Sequence, residues 1–153
     1  MKLSTGLRNY MLSNQSLKDA LDDGIISIYA GTPVPATADA ALDIGGDHTL
    51  LCVITDNDQG IGAGQGIDFD TAAVDGVLSK APAQVWSGTN VDTGVATFFR
   101  YTAQADDGTL STSQVRIQGT VAEGGGDMNM ASTSLADTVL QPIDFFSVAL
   151  PTL

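Results

Sequence analysis

The sequence has few of the side chains that most enzymes use. Its 153 residues contain one histidine (His48), one cysteine (Cys52) and one glutamate (Glu123), against 17 aspartates. A lone cysteine permits no internal disulfide, and one histidine with one cysteine falls short of the several ligands that a zinc site needs. A catalytic triad would have to use His48, yet no Gly-x-Ser-x-Gly motif is present. We therefore predict a protein that is not an enzyme and that carries no metal or cofactor.

Basic residues and long apolar runs are also scarce. Six Lys and Arg residues face 18 acidic residues, which gives a formal net charge of -12. Contact with a polyphosphate backbone would be repulsive overall, because nucleic-acid affinity depends on basic groups that displace condensed cations. No apolar run reaches the roughly 18 residues of a membrane span, and the first 20 residues lack the continuous apolar core of a secretion signal. The sequence thus predicts a protein made in the cytoplasm that binds neither nucleic acid nor membrane.

The first 23 residues have the pattern of helices. Ser4 or Thr5 is suited to cap a first helix, and the apolar residues at positions 3, 7, 10 and 11 recur at spacings of three and four. Ser16 and Asp19 form the pattern of a capping box for a second helix, which Gly24 is suited to end. We predict a helical N-terminal docking region over residues 1–23 and one β-sandwich domain over residues 24–153.

From residue 24 onward the pattern has the two-residue period of β-strands. The predicted fold class is therefore mainly β, a β-sandwich or jelly-roll-like domain with a short helical N-terminal region. Cys52 is expected to be a buried hydrophobe, and His48 a capping or surface residue. Arg116, Gln118 and Thr120 alternate with apolar residues and are expected on a solvent-facing side. The predicted strands cover residues 25–30, 50–55, 67–70, 95–104, 115–121, 128–130 and 143–150.

The segment from Asp56 to Asp70 is the best candidate for a cation site. Its first residues are rich in oxygen ligands, as in a calcium loop, but position 12 counted from Asp56 is Ile67 rather than the bidentate glutamate of an EF-hand. Four glycines between residues 56 and 66 favour a turn instead. A second turn is predicted at residues 106–108, where two aspartates precede a glycine.

Three features bear on assembly with other chains. Trp86, the sole tryptophan, suits the core or an interface, with the core favoured. The doublets at residues 98–99 and 145–146 each place one phenylalanine on either side of a strand, so both sides should be covered, one of them by a helix, a loop or a neighbouring subunit. Residues 1–18 also carry three basic residues and no acid, which suits contact with an acidic surface of the chain itself or of a neighbour. The alternative is that Lys2 and Arg8 only solubilise a mobile terminus.

Three stretches of the sequence resemble a known group of proteins. These are residues 3–9 with 16–21, residues 85–90, and residues 116–121 with 143–147. Together they resemble small virion proteins of tailed bacteriophages, which are often encoded near the major capsid gene. The resemblance spans most of the chain, and its motifs are structural, so it implies no catalytic residues.

The resemblance implies a structural part of the virion and leaves open whether it belongs to the head or to the tail. Our first hypothesis is a capsid decoration (cement) protein on the outer surface of a phage head. Its partner would be the major capsid protein, and its expected state is a homo-oligomer, with a trimer slightly favoured. In this hypothesis the docking residues are Lys2, Leu3, Leu7, Arg8, Tyr10 and Met11. Two alternatives stay open at this point: a tail or head-completion component of the virion, and a carbohydrate-binding or hydrolytic β-sandwich at the host surface.

Overall fold

The protein is mainly β, with 39% of its residues in strands and 9% in helices, as the sequence predicts. The structure is a computed structural model that describes residues 1–13 and 16–150. The helices are α1 (Thr5–Ser13) and α2 (Leu17–Leu21). The strands are β1 (Lys2–Leu3), β2 (Gly24–Gly31), β3 (His48–Asp56), β4 (Val77–Ser79), β5 (Trp86–Thr89), β6 (Gly94–Val95), β7 (Phe98–Ala103), β8 (Arg116–Ala122), β9 (Met128–Asn129), β10 (Ser134–Leu135), β11 (Leu140–Pro142) and β12 (Ser147–Ala149).

One large sheet of eight strands organises the fold. Its strand order is β1-β8-β7-β2-β3-β5-β11, and β9 pairs in parallel with β8. In its centre Ile26 lies opposite Ile54 on one neighbour and Tyr101 on the other, so one side of the sheet is continuously apolar. The pairs β4–β12 and β6–β10 form two small sheets that contribute Leu78, Val148 and Leu135 to the same core. The result is a β-sandwich-like domain.

The two N-terminal helices form as the sequence predicts. The Ser4 hydroxyl accepts a hydrogen bond from the Leu7 amide at 3.0 Å and so caps α1. Ser16 and Asp19 complete the predicted capping box at the start of α2. Gly6 lowers helix propensity, but α1 lies so close to the backbone of residues 113–114 that a Cβ at this position would overlap it. Leu7 and Leu21, each fully buried, join the helices to the core of the sheet.

The core contains a cluster of aromatic rings. Trp86 is 1% exposed, as the core interpretation predicts, and its ring meets those of Phe69 and Phe146 at centroid distances of 5.3 and 5.9 Å. Phe99 packs edge-on against Phe146. Cys52 is fully buried as expected, and burial raises the pKa of its thiol to about 12.

Three predicted strands differ from the observed ones. The strand predicted over 95–104 is interrupted at residues 96–97, because β6 pairs with β10 in a small sheet, whereas residues 98–103 continue as β7 in the large sheet. The strand predicted over 143–150 is wrong for residues 143–146, which cross between β11 and β12. Residues 67–70 show the predicted alternation of burial but make only isolated bridges. The tight turn predicted at 106–108 is part of a longer loop that ends at β8.

The side of the large sheet that faces away from the aromatic core is more deeply covered than predicted; we call it the second side. Arg116 and Gln118 are at most 1% exposed, so their predicted solvent-facing position is wrong. His48 is 6% exposed, which corrects the prediction of a surface residue; its ring packs edge-on against Phe98. The loops that follow β2 and β7 supply the cover, which sequence alternation within β8 does not reveal.

Candidate partner-binding surface

The N-terminal segment, residues 1–13, is fastened to the body of its own chain. β1 pairs with β8, and the Lys2 ammonium donates to the Ala36 carbonyl at 2.9 Å. The Thr5 amide and hydroxyl donate to the two carboxylate oxygens of Asp39 at 2.8 and 2.7 Å. The amino group of Met1 pairs with Asp127. The basic segment therefore seats on its own acidic body, one of the two contacts considered from the sequence.

The six predicted docking residues divide into two groups. Leu7 is fully buried, and Leu3 and Met11 pack against the core, so these three side chains stabilise the protein's own fold. Lys2 and Arg8 are exposed and Tyr10 is half-buried. The docking role of this segment stays a prediction, and the structure limits it to the outward-facing side chains.

Leu12 adds an apolar residue to that outer side. It is 86% exposed, more than any other large hydrophobic residue of the described chain. The sequence contained a signal for it, because Leu12 lies outside the apolar stripe that positions 7, 10 and 11 form on α1. Leu3, which the sequence pattern also assigned to this stripe, lies in β1 instead. The stripe faces the core, so an apolar side chain outside it faces solvent. We call the three exposed residues Lys2, Arg8 and Leu12 the N-terminal face.

The accessible positive charge of the molecule is concentrated on this face. Of the six basic side chains, Arg100 and Arg116 are fully buried. Lys18 forms an ion pair with Asp22 at 2.7 Å, and Lys80 is half-buried. In the described chain neither Lys2 nor Arg8 has a carboxylate within ion-pair distance. Their hydrogen bonds go to neutral acceptors instead: Lys2 donates to the Ala36 carbonyl, and Arg8 donates to the Ser4 carbonyl and the Thr5 hydroxyl.

The Asp39 carboxylate joins the N-terminal segment to the loop that follows β2. Burial acts to raise the pKa of its carboxyl, but the two hydrogen bonds from Thr5 and the charges of Arg8 and Arg116 outweigh burial, so the pKa is lowered overall. Asp127 shows the same balance: burial acts to raise its pKa, and the Met1 amino group and Thr120 lower it overall. Both carboxylates therefore hold the segment in their ionised form.

Buried polar side chains hold the cover of the second side of the sheet. Arg116 donates to both oxygens of Asp106 from Nε and Nη2, at 2.6 and 2.7 Å, and this pair is nearly inaccessible to solvent. Arg100 donates to the Ala40 carbonyl at 3.0 Å, and Gln118 donates to the Pro35 carbonyl at 2.7 Å. The loop after β2 is therefore held through its main chain.

A wide groove of about 660 Å³ lies between two margins of the large sheet. Residues 127–132, which include β9, line one wall, and residues 141–147 line the other. Phe146 points into the core, whereas Phe145 lines the groove and is 75% exposed. The covering predicted for both rings of this doublet is therefore not provided by the chain itself. Sequence reasoning missed the groove, because it forms only when residues distant along the chain come together.

His48 and the aspartates of the candidate calcium segment form hydrogen bonds with main-chain groups of the protein. The Nδ1 atom of His48 accepts from the Asp43 amide at 3.1 Å, so Nε2 is left to donate to the Pro33 carbonyl at 3.0 Å. In the candidate calcium segment, Asp56 and Asp58 accept the amides of Val85 and Thr89 at 3.1 and 2.9 Å. Over residues 1–13 and 16–150, no three or more His, Cys, Asp or Glu side chains form a group that would hold a metal ion.

Neither of the helices in the described chain has the length and apolar character needed to cross a membrane. Comparison of the chain with protein-family models, with curated proteins and with solved structures found no match.

Proposed function

We propose that this protein is a structural, adhesive component of a tailed-phage virion, a decoration (cement) protein that binds the outer surface of the head. The observation that carries the proposal is the N-terminal face: within the described residues Lys2 and Arg8 form no ion pair, and Leu12 is exposed one helical turn after Arg8 on α1. An exposed apolar side chain next to a cation suits contact with an acidic, partly apolar surface of the major capsid protein.

Two physical arguments support a position on the outside of a shell. A capsid under internal DNA pressure gains from many small clamps between neighbouring capsomers, and each interface needs only modest area when symmetry repeats it. The net charge of -12 is repelled by packaged DNA, which favours the outer surface over the inner one. The proposed partner is the major capsid protein, and the proposed assembly is a homo-oligomer, with a trimer suited to local threefold positions.

Binding of variants to heads that lack the protein tests this proposal. We expect Lys2→Glu combined with Arg8→Glu, and separately Leu12→Ser, to weaken co-sedimentation with such heads by about tenfold or more. Because exposed charges are screened by salt, binding of the unmodified protein should also fall as ionic strength rises. Deletion of residues 1–15 is a poorer test, since it removes Leu7 from the core.

Matched variants control for the change of side chain alone. Lys2→Arg combined with Arg8→Lys keeps both charges and should bind normally. Leu110→Ser changes another leucine of high exposure, 72%, outside the N-terminal face and should also bind normally. Undiminished binding of the charge-reversed and Leu12→Ser variants would rule out this face as the docking surface.

A further inference from the structure

The two buried arginines of the sheet differ in how their charges are satisfied. Both Arg100 and Arg116 are fully buried, on the adjacent strands β7 and β8. Arg116 uses its Nε and Nη2 edge to hold the carboxylate of Asp106 with two hydrogen bonds. On the same edge of Arg100, Nη2 donates to the neutral Gln118 side chain at 2.7 Å, and Nε has no acceptor among the atoms of the described chain.

Arg100 also lacks a counter-ion. No carboxylate of the described chain lies within ion-pair distance of its guanidinium. Its second hydrogen bond goes to a main-chain carbonyl, that of Ala40. A buried cation without a carboxylate partner and with an unpaired donor is costly, so such a group indicates a place where an acceptor binds. Burial first, and the nearby charge of Arg116 second, lower the pKa of Arg100 to about 10, which leaves it charged at neutral pH.

Arg100 lines a cleft of about 180 Å³ on the second side of the sheet. Six aliphatic residues line most of its apolar part, Ile25, Leu42, Ile44, Leu50, Val53 and Ile61. The polar residues Ser27, Tyr29, Thr102 and Gln104 also line it. Ile44 and Ile61 are 54% and 61% exposed and stand at the rim. The cleft is smaller than the roughly 300–1,000 Å³ of pockets for drug-sized ligands, so it suits a short aliphatic group.

We infer that this cleft binds a carboxylate attached to a small apolar group, with the carboxylate at Arg100 and the apolar part against Val53 and Leu50. The source of the carboxylate is either a free small acid or the end of a protein segment, since both carry the same group. The ligand carboxylate would accept a hydrogen bond from Nε of Arg100, as the Asp106 carboxylate accepts one from Nε of Arg116.

Two acidic residues face the same cleft. Asp106 lines it, but its charge is paired with Arg116. Asp107 lines it at the rim, where its carboxylate accepts from the Thr109 amide and hydroxyl. The exposed Asp107 repels an anion at the entrance, so removing it should strengthen binding. Tighter binding after removal of Asp107 distinguishes an anion site from an apolar cleft, whose affinity would not depend on the charge of Asp107.

Titration of the protein with sodium 3-methylbutanoate, followed by two-dimensional amide NMR, tests the inference. We expect saturable shifts around Arg100, Val53 and Thr102, and binding about tenfold tighter than that of the uncharged 3-methylbutanamide. Asp107→Asn should tighten the binding of the acid and leave that of the amide unchanged. N-acetyl-leucine separates the two sources, because its binding more tightly than 3-methylbutanoate assigns the cleft to a protein segment and the reverse assigns it to a free acid.

Two variants test the cleft without substituting Arg100, because replacing this buried side chain would also affect folding. Val53→Phe fills the half-buried floor of the cleft without changing the guanidinium and should abolish the shifts. Val91→Phe makes the same change at a residue that is 59% exposed and outside the cleft, and it should bind as the unmodified protein does. The inference is overturned if the acid causes no saturable shifts at the cleft, or if the acid and its amide bind equally.

Discussion

At the scale of single residues, the least expected feature is the use of charge in the interior. A chain with only six basic residues places two of them, Arg100 and Arg116, in the middle of its fold. Truncating one partner of a buried ion pair is costly because the other charge stays behind without compensation. The Arg116–Asp106 pair therefore fixes the loop after β7 against the sheet.

We expect Asp106→Ala to lower the free energy of unfolding by about 3–5 kcal/mol, because it leaves Arg116 buried and unpaired. Urea denaturation followed by Trp86 fluorescence measures the change. The neighbouring Asp107 is exposed and provides the control, since Asp107→Ala should leave the urea midpoint nearly unchanged. Equal effects of the two substitutions would contradict a special role for the buried pair.

At the scale of elements, the N-terminal segment is held to the sheet by ionised carboxylates. The folded-state pKa values of Asp39 and Asp127 are lowered. Each group therefore stabilises the attached segment above the unfolded aspartate pKa of about 3.9, and this contribution is lost as the pH falls through the lower folded value.

Acid titration should accordingly loosen this segment. We expect the amide of Thr5, which donates to Asp39, and that of Thr120, which donates to Asp127, to shift together in NMR spectra at a midpoint below about pH 3.9. Asp39→Asn should remove the titration at Thr5 and leave that at Thr120. A midpoint above the unfolded value would show that these carboxylates do not stabilise the segment in their charged form.

The sequence predicts the elements whose signals are local. The capping box at Ser16, the helices and the strands near residues 25–30, 50–55 and 115–121 all depend on spacing and propensity within a few residues. The break at residues 96–97 depends on the pairing of β6 with β10, a strand distant along the chain, and no local pattern encodes it. The burial of Gln118 likewise depends on the loop that contains Pro35.

The candidate surface was predictable to the same extent. The spacing of α1 identifies its apolar stripe, but it does not say whether the stripe faces a partner or the chain's own core. Leu7 faces the core, and Leu12 is the residue left outside. The groove beside Phe145 and the cleft at Arg100 arise from tertiary contacts, so neither has a sequence signature.

At the scale of the whole molecule, the copy number separates the proposed role from its nearest alternative. A decoration protein occupies repeated positions on the head, so we expect hundreds of copies per particle by quantitative mass spectrometry or by cryo-EM of purified virions. A tail or head-completion component would be present in a few dozen copies or fewer. The measurement needs no variant and is calibrated by the major capsid protein of the same particles.

The loop after β2 is held through its main-chain carbonyl groups, and this determines which substitutions the protein can accept during evolution. Arg100, Arg116 and Gln118 bind carbonyl oxygens of residues 35–40, which every amino acid possesses. Mutational drift at the outward-facing Ala36 and Thr37 should therefore be tolerated. Substitution of Arg100, Arg116 or Gln118, or a change in the length of the loop, should not be tolerated. A surface that varies freely over a fixed scaffold is well suited to a protein that meets changing environments.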